Sequence, residues 1–184
     1  MGMPAPLYHT RAMLRDLPDD GNRYELVRGE LLVTPAPRPW HEVVVNRLQR
    51  ALEAYVARQA PLLYVFGSRS EVSWGDNDTE VQPDAFVLPR SEVRTMRYEE
   101  MVGLRLVIEV LSPTTARHDR FTKRLEYQRR GVPLYWIVDL EELMVEIWTP
   151  ADHFPVFERE RLTWVPEGAV EPFNLELEEL FKPL

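Results

Sequence analysis

Cysteine is absent from this 184-residue chain, and lysine is nearly absent. Without cysteine, disulfides, zinc-thiolate centres and thiol nucleophiles are excluded. No apolar run approaches the roughly 20 residues needed to cross a bilayer, and the N-terminus lacks the basic-then-apolar pattern of a signal peptide. These absences predict a soluble cytoplasmic protein, and the length predicts one compact domain over residues 1–184.

The scarcity of lysine draws attention to the positions that keep it. Of the 22 basic residues only Lys123 and Lys182 are lysines. Because arginine stands almost everywhere else, a lysine that remains has a better than usual chance of being needed as a compact ammonium group. Lys182 lies near the C-terminus, whereas Lys123 falls inside a predicted helix. Lys123 is therefore a candidate functional residue.

The net charge of −8 is concentrated in the last quarter of the chain. Residues 139–184 contain 12 acidic and 3 basic residues, a net of −9, which leaves +1 for residues 1–138. This balance argues against a protein that coats nucleic acid by bulk electrostatics. Residues 117–130 carry a local net of +4. Their arginines Arg117, Arg120 and Arg124 are either phosphate contacts or part of a solvated helix face.

The most informative stretch is the apolar run of residues 104–111, which ends at Ser112 and Pro113. Such a short run predicts a strand buried on both faces, yet it contains Glu109. A buried carboxylate needs a partner cation, a metal ion or a raised pKa to be tolerated. If Glu109 has no function beyond structure, the simplest explanation for its burial is an ion pair with a neighbouring arginine. A second acid, Asp84, stands at the beginning of another apolar strand.

The remaining patterns predict a mixed α/β chain with an N-terminal β-hairpin. The strand at 134–138 follows a strand and a helix, so it is expected to complete a parallel crossover beside the strand of Glu109. Later strands add an antiparallel edge. Helices are predicted over 10–17, 40–59, 118–130 and 177–181, and strands over 24–27, 30–34, 62–66, 70–74, 85–88, 104–111, 134–138, 144–148 and 154–159.

Together these elements bring two acids and a lysine into one candidate centre. Asp84 and Glu109 on adjacent strands could hold Mg²⁺ or Mn²⁺, since hard divalent ions prefer oxygen ligands. Such an ion polarises a phosphoryl oxygen and lowers the pKa of bound water. Lys123 on the following helix would stabilise charge in the transition state. These are the parts of metal-assisted phosphodiester hydrolysis.

Several segments, taken together, resemble the Uma-type family of restriction-endonuclease-like proteins over roughly residues 10–180. The segments are Tyr24-Glu-Leu-Val-Arg-Gly-Glu30, Pro-Trp-His41, Val-Gln-Pro-Asp84, Val-Ile-Glu-Val-Leu-Ser-Pro-Thr114, Lys123, Tyr127 and Gly-Val-Pro-Leu-Tyr-Trp-Ile-Val-Asp139. The resemblance implies a PD-(D/E)xK nuclease fold, in which helices flank a central mixed sheet. It also implies that Asp84 and Glu109 are the two motif acids.

The chain departs from the common motif two residues after Glu109, where Leu111 replaces the usual lysine. The resemblance implies that the lysine has moved to the next helix, as Lys123. Three further positions are second-tier candidates, namely Glu30, His41 and Tyr127. For each of them an ordinary structural role, as an exposed hairpin glutamate, a neutral core histidine or a packed tyrosine, is an open alternative.

The favoured hypothesis is a Mg²⁺-dependent endonuclease that acts on DNA as a homo-oligomer, because one small centre needs a second copy to cut both strands together. The alternative is a catalytically inactive nuclease-fold protein that serves as a nucleic-acid-binding or assembly module. Hydrolysis of a phosphoester other than nucleic acid is a third possibility, given the acidic pI near 5.1. No membrane partner is expected.

Overall fold

A computed structural model describes residues 8–184, so residues 1–7 of the predicted domain lie outside the described range. Its helices are α1 (Arg11–Arg15), α2 (Pro39–Gln59), α3 (Arg90–Val93), a 3₁₀ turn (Tyr98–Glu100), a π-helical turn (His118–Lys123), α4 (Arg124–Arg129) and α5 (Leu177–Phe181). Its strands are β1 (Arg23–Val27), β2 (Glu30–Thr34), β3 (Leu63–Gly67), β4 (Ala85–Pro89), β5 (Leu106–Val110), β6 (Tyr135–Asp139), β7 (Met144–Trp148), β8 (Val156–Glu158), β9 (Arg161–Trp164) and β10 (Phe173–Glu176). Within that range, no helix is both long enough and apolar enough to cross a bilayer.

Six strands form a central sheet in the order β3-β4-β5-β6-β7-β8. Strands β5 and β6 pair in parallel, and the other neighbours pair antiparallel. The prediction of a mixed sheet with a parallel crossover is therefore confirmed. The crossover carries the π-helical turn and α4, so whatever these helices present to the sheet lies beside β5 and β6.

Strands β1 and β2 form a separate antiparallel hairpin, as predicted. Its two-residue turn consists of Arg28 (φ 50°) and Gly29 (φ 81°). Positive φ at both turn positions is what matches the turn to the twist of the two strands, and glycine adopts it without steric cost. A bridge between Leu26 and Glu80 fixes the hairpin against the rest of the chain.

Two predictions of local structure were wrong in detail. Residues 70–74 do not form a strand, because the chain turns at Trp74 and Gly75 and only Val72 pairs, with Val81. The helix predicted over residues 118–130 divides into the π-helical turn and α4.

The core has two parts, one on each face of the sheet. Helix α2 covers one face with a stripe of buried residues, namely His41, Val44, Val45, Leu48, Leu52, Tyr55 and Val56. The hairpin and the crossover helices lie over the other face. Along β5, Leu106, Ile108 and Val110 pack on the α2 side, while Val107 packs on the opposite side. Because side chains alternate along a strand, Glu109 points with Val107, towards the hairpin and the crossover helices.

Candidate active site

The register of β4 and β5 brings Asp84 and Glu109 together. Ala85 pairs with Ile108, so Asp84, one residue earlier, lies opposite Glu109. Residues directly opposite each other in a sheet have their β-carbons about 5 Å apart. The two residues are only 2% and 1% exposed. Two acids therefore enter the interior side by side, where their charges must be balanced.

Lys123 supplies part of that balance from the end of the π-helical turn. Its Nζ lies 2.9 Å from Oε1 of Glu109, 2.8 Å from Oε1 of Glu25 and 3.4 Å from Oδ1 of Asp119. All four residues, here called the lysine cluster, are buried. Tyr127, one turn further along, donates its hydroxyl to Oε1 of Glu109 at 3.3 Å. Three acids from three separate elements thus surround one ammonium group.

Asp84 has different partners. Its Oδ2 accepts a hydrogen bond from the backbone N–H of Val110 at 2.8 Å and lies 3.2 Å from Nε2 of His41. Its Oδ1 accepts a hydrogen bond from Arg23 at 3.2 Å. Burial raises the pKa of Asp84, but His41 and Arg23 outweigh burial and lower it to about 2. Burial lowers the pKa of His41, and its contact with Asp84 outweighs this and raises it. Asp84 is therefore an ionised carboxylate.

The centre contains more buried carboxylates than cations. Four carboxylates, those of Asp84 and the lysine cluster, are matched by Lys123 and Arg23, with protonated His41 as a third cation. Burial raises the pKa of Glu109 well above its ordinary value, and neighbouring acids add to this although Lys123 opposes it. Oε2 of Glu109 is buried without a hydrogen-bond partner. The centre therefore needs at least one more positive charge, either a proton or a cation.

A cleft of about 690 Å³ gives access to this centre, and it is called the Asp84 cleft here. It is lined by Asp19, Gly21, Asn22, Arg23, Thr34, Pro35, Ala36, Pro37, Arg38, His41, Glu42, Ser68, Arg69, Gln82, Asp84, Ser112, Pro113, Thr114 and Thr115. The lysine cluster lies behind Asp84 and does not line the cleft. A ligand in the cleft would therefore meet Asp84 and His41 first.

The donor set fits a hard divalent ion only in part. Within residues 8–184, no group of three or more histidine or acidic side chains is arranged to hold a metal. Magnesium, however, is commonly held by one or two carboxylates with water completing the shell. Asp84, the unpartnered Oε2 of Glu109 and the carbonyl of Val110 could supply such oxygens. Because His41 already bonds to that carbonyl at 3.0 Å, its imidazole would have to withdraw.

The hairpin contributes an acid that was not predicted. Glu30 is exposed and pairs with Val27 beside the turn, whereas Glu25 pairs with Leu32 further along and is fully buried. Both glutamates lie on the same face of the hairpin, but only Glu25 reaches Lys123. Oε1 of Glu25 also accepts the backbone N–H of Gln82 at 2.8 Å. Of the two alternatives for Glu30, the structure shows the exposed hairpin glutamate, and Glu25 is the hairpin acid that reaches Lys123.

Asp119 was also missed, although a sequence signal was available. Asp119, Lys123 and Tyr127 are spaced four residues apart, a spacing that places side chains on one face of a helix. All three are buried against β5 and β6. Tyr135 on β6 donates its hydroxyl to the carbonyl of Asp119 at 3.1 Å.

The three arginines predicted as phosphate contacts lie outside the Asp84 cleft. Arg120 forms ion pairs of 2.6 Å with both Asp139 and Glu146. The guanidinium of Arg124 lies 4.4 Å from the ring centre of Trp148. Arg117 is exposed on the same crossover segment. Arg120 and Arg124 thus have structural partners within the protein, and none of the three lines the cleft.

Comparisons with known proteins agree with this architecture. The crystal structure of a putative nuclease belonging to DUF820 from Anabaena variabilis ATCC 29413 matches with a TM-score of 0.76 and 21% identity, over 94% of this chain and 97% of that chain. This likeness confirms the predicted architecture, a central mixed sheet flanked by helices with an N-terminal hairpin. No curated protein matches the chain. The model of the Uma2 family, described as "Putative restriction endonuclease", matches residues 11–178. The chain therefore belongs to the Uma2 family.

Proposed function

We propose that this protein is a metal-dependent endonuclease that hydrolyses phosphodiester bonds in DNA, with Asp84, Glu109 and Lys123 at its centre. The observation that carries the proposal is the surplus of buried carboxylates, which leaves Oε2 of Glu109 without a partner. An uncompensated buried charge is costly, so a site of this kind favours a bound cation. Membership of a family described as putative restriction endonucleases supports DNA as the substrate.

Asp84 and Glu109 would hold Mg²⁺ or Mn²⁺, together with the carbonyl of Val110 and water. When bound, the ion polarises a phosphoryl oxygen and lowers the pKa of a coordinated water. His41 lies 3.2 Å from Asp84 and would have to move aside for the ion, since it also bonds to the carbonyl of Val110. Tyr127 orients Glu109 through its hydroxyl. Asp84 is the first of the two acids that a substrate in the cleft would meet.

Lys123 takes the place of the motif lysine in this proposal. Leu111, which occupies the usual position, is buried and apolar. The ammonium of Lys123 instead reaches Oε1 of Glu109 from the crossover segment, at 2.9 Å. Its pKa is lowered by burial but raised overall by Glu109, Glu25 and Asp119, so it remains charged. Lys123 would thus hold Glu109 in position, and its buried charge would act on the phosphate through space and not by direct contact.

The alternative function is a nuclease-fold protein that has lost turnover and acts as a nucleic-acid-binding or assembly module. One observation favours it: the oxygens of Asp84 already contact Arg23, His41 and the backbone of Val110. If these contacts persist in solution, the protein's own cations replace the metal at Asp84. Titration with Mn²⁺ separates the two functions, since the inactive module binds no ion through Asp84 and Glu109.

The first prediction concerns the two acids. Asp84→Asn and Glu109→Gln should each lower Mn²⁺-dependent cleavage of plasmid DNA by about 100-fold or more, since metal stabilisation of the transition state is worth several kcal/mol. Calorimetric titration should show weakened Mn²⁺ binding by the same variants. Glu30→Gln is the matched control, because Glu30 is exposed. Cleavage and ion binding that survive both substitutions would exclude this centre.

The second prediction concerns Lys123. Lys123→Met should destabilise the fold by about 3–5 kcal/mol, because it leaves the buried acids of the lysine cluster without their cation. The only other lysine provides the control: Lys182 is 62% exposed and lies 3.6 Å from Glu179. Lys182→Met should change stability by less than about 0.5 kcal/mol. Urea denaturation measures the free energy of unfolding of both variants. An equal loss in Lys123→Met and Lys182→Met would contradict the view that the buried acids need the charge of Lys123.

The third prediction concerns pH in metal-free buffer. Because the folded-state pKa of Glu109 lies above its ordinary value of 4.5, the folded protein retains a proton that the unfolded chain releases. The retained proton stabilises the folded state fully below pH 4.5. As pH rises from there towards the folded-state pKa, the free energy of unfolding falls by at most about 1.4 kcal/mol per pH unit. Glu109→Gln should therefore gain stability relative to the wild type from about pH 4 to pH 8 in thermal melts. A stability difference between the variant and the wild type that stays constant across this range would show that the pKa of Glu109 is not raised.

The fourth prediction is that the protein is a homo-oligomer, as cutting both strands together requires. Phe157 on the edge strand β8 and Phe154, two residues before that strand, are 58% and 83% exposed, which supports an interface there. Sedimentation equilibrium should give at least a dimer mass, and Phe157→Ser should shift the distribution towards monomer. A purely monomeric wild type at micromolar concentration would contradict the prediction.

A further inference from the structure

Three arginines from separate segments line the Asp84 cleft. Arg23 comes from β1, Arg38 directly precedes α2, and Arg69 lies in the turn after β3. Arg23 is already bonded to Asp84, but Arg38 and Arg69 are exposed and take part in no ion pair among residues 8–184. They are therefore available to an anionic ligand that enters the cleft.

The backbone of Arg69 determines which substitution suits this position. Its φ of 74° lies in the left-handed region, which glycine adopts without strain. Arg28, Trp74, Met96 and Leu143 share this region and do not line the cleft, so the role of Arg69 rests on its place in the cleft. Glycine at position 69 removes the guanidinium without straining the backbone.

Arg38 is held by a stiff segment. Pro35, Pro37 and Pro39 surround it, and proline fixes its own φ and restricts the residue before it. Arg38 itself is extended, with φ −74° and ψ 152°. A guanidinium on a rigid segment loses less freedom when it binds a ligand.

The other groups around the cleft are compatible with an anion at its centre. Ser112 and Thr114, whose hydroxyls lie 3.0 Å apart, add uncharged polar groups on a further wall. Two carboxylates besides Asp84 also line the cleft, those of Asp19 and Glu42. Glu42 lies 3.5 Å from Nδ1 of His41, so its carboxylate already has a partner within the protein.

We propose that Arg38 and Arg69 bind the phosphates of a nucleic-acid backbone on either side of the phosphate presented to Asp84 and Glu109. The guanidinium fork matches the geometry of a phosphate group and stays charged at every physiological pH. The identity of the ligand rests on the proposed function. The pair also accounts for DNA binding by a chain of net charge −8, because the positive groups need only line the cleft.

The test measures binding of the full chain to a fluorescent DNA duplex by anisotropy, in EDTA and over a range of salt concentrations. The slope of log Kobs against log salt is negative, and each phosphate contact that is lost should make it shallower by about 0.9. We expect this reduction for Arg38→Gln and for Arg69→Gly, and about twice the reduction for the double variant. Glycine suits the backbone at position 69, so Arg69→Gly should keep its melting temperature.

Arg50→Gln is the matched control, since it removes the same charge from an exposed position on α2, outside the cleft. The proposal is overturned if the cleft variants keep the wild-type slope, if Arg50→Gln has the same effect, or if the wild type does not bind. Because no metal is present, the result is independent of cleavage. A protein that binds DNA through Arg38 and Arg69 but never cuts it would support this inference and contradict the endonuclease function.

Discussion

The burial of one ammonium group among three carboxylates is the constraint on which the rest of this structure depends. Glu25 comes from the hairpin, Glu109 from the central sheet and Asp119 from the crossover, and all three meet Lys123. Buried ion pairs contribute little net stability, but separating the partners is costly. The lysine cluster therefore constrains how hairpin, sheet and crossover are placed relative to one another, together with the apolar packing on this face.

The π-helical turn is the local feature that makes this possible. Such turns are rare and are often found at functional sites. Here the turn presents both Asp119 and Lys123 to the sheet while α4 continues with Tyr127 on the same side. A lysine on β5 itself would have to share the crowded strand with Glu109. Because Lys123 reaches Glu109 from the crossover, position 111 can hold an apolar residue, Leu111, that packs in the core.

Much of the fold could be predicted because its central strands are nearly continuous apolar runs, in which an acid such as Glu109 is conspicuous. The proximity of Asp84 and Glu109 followed from their places in adjacent strands. The sequence could not show whether Glu25 or Glu30 reaches the centre, because both lie on the same face of the hairpin. Only the way the hairpin packs on the sheet distinguishes them. Arg38 and Arg69 belong to loops, whose convergence on one cleft depends on tertiary structure.

The same residues can satisfy either function because the surplus negative charge can be neutralised in two ways. A proton on Glu109 completes a closed, metal-free core, in which His41 and Arg23 satisfy Asp84. A divalent ion would complete an open centre, in which both acids would be ionised and His41 would have moved aside. Lys123 is a cation in both arrangements, so the lysine cluster persists in both. The physical difference between enzyme and binding module is thus confined to the Asp84 side of the centre, the side that faces the cleft.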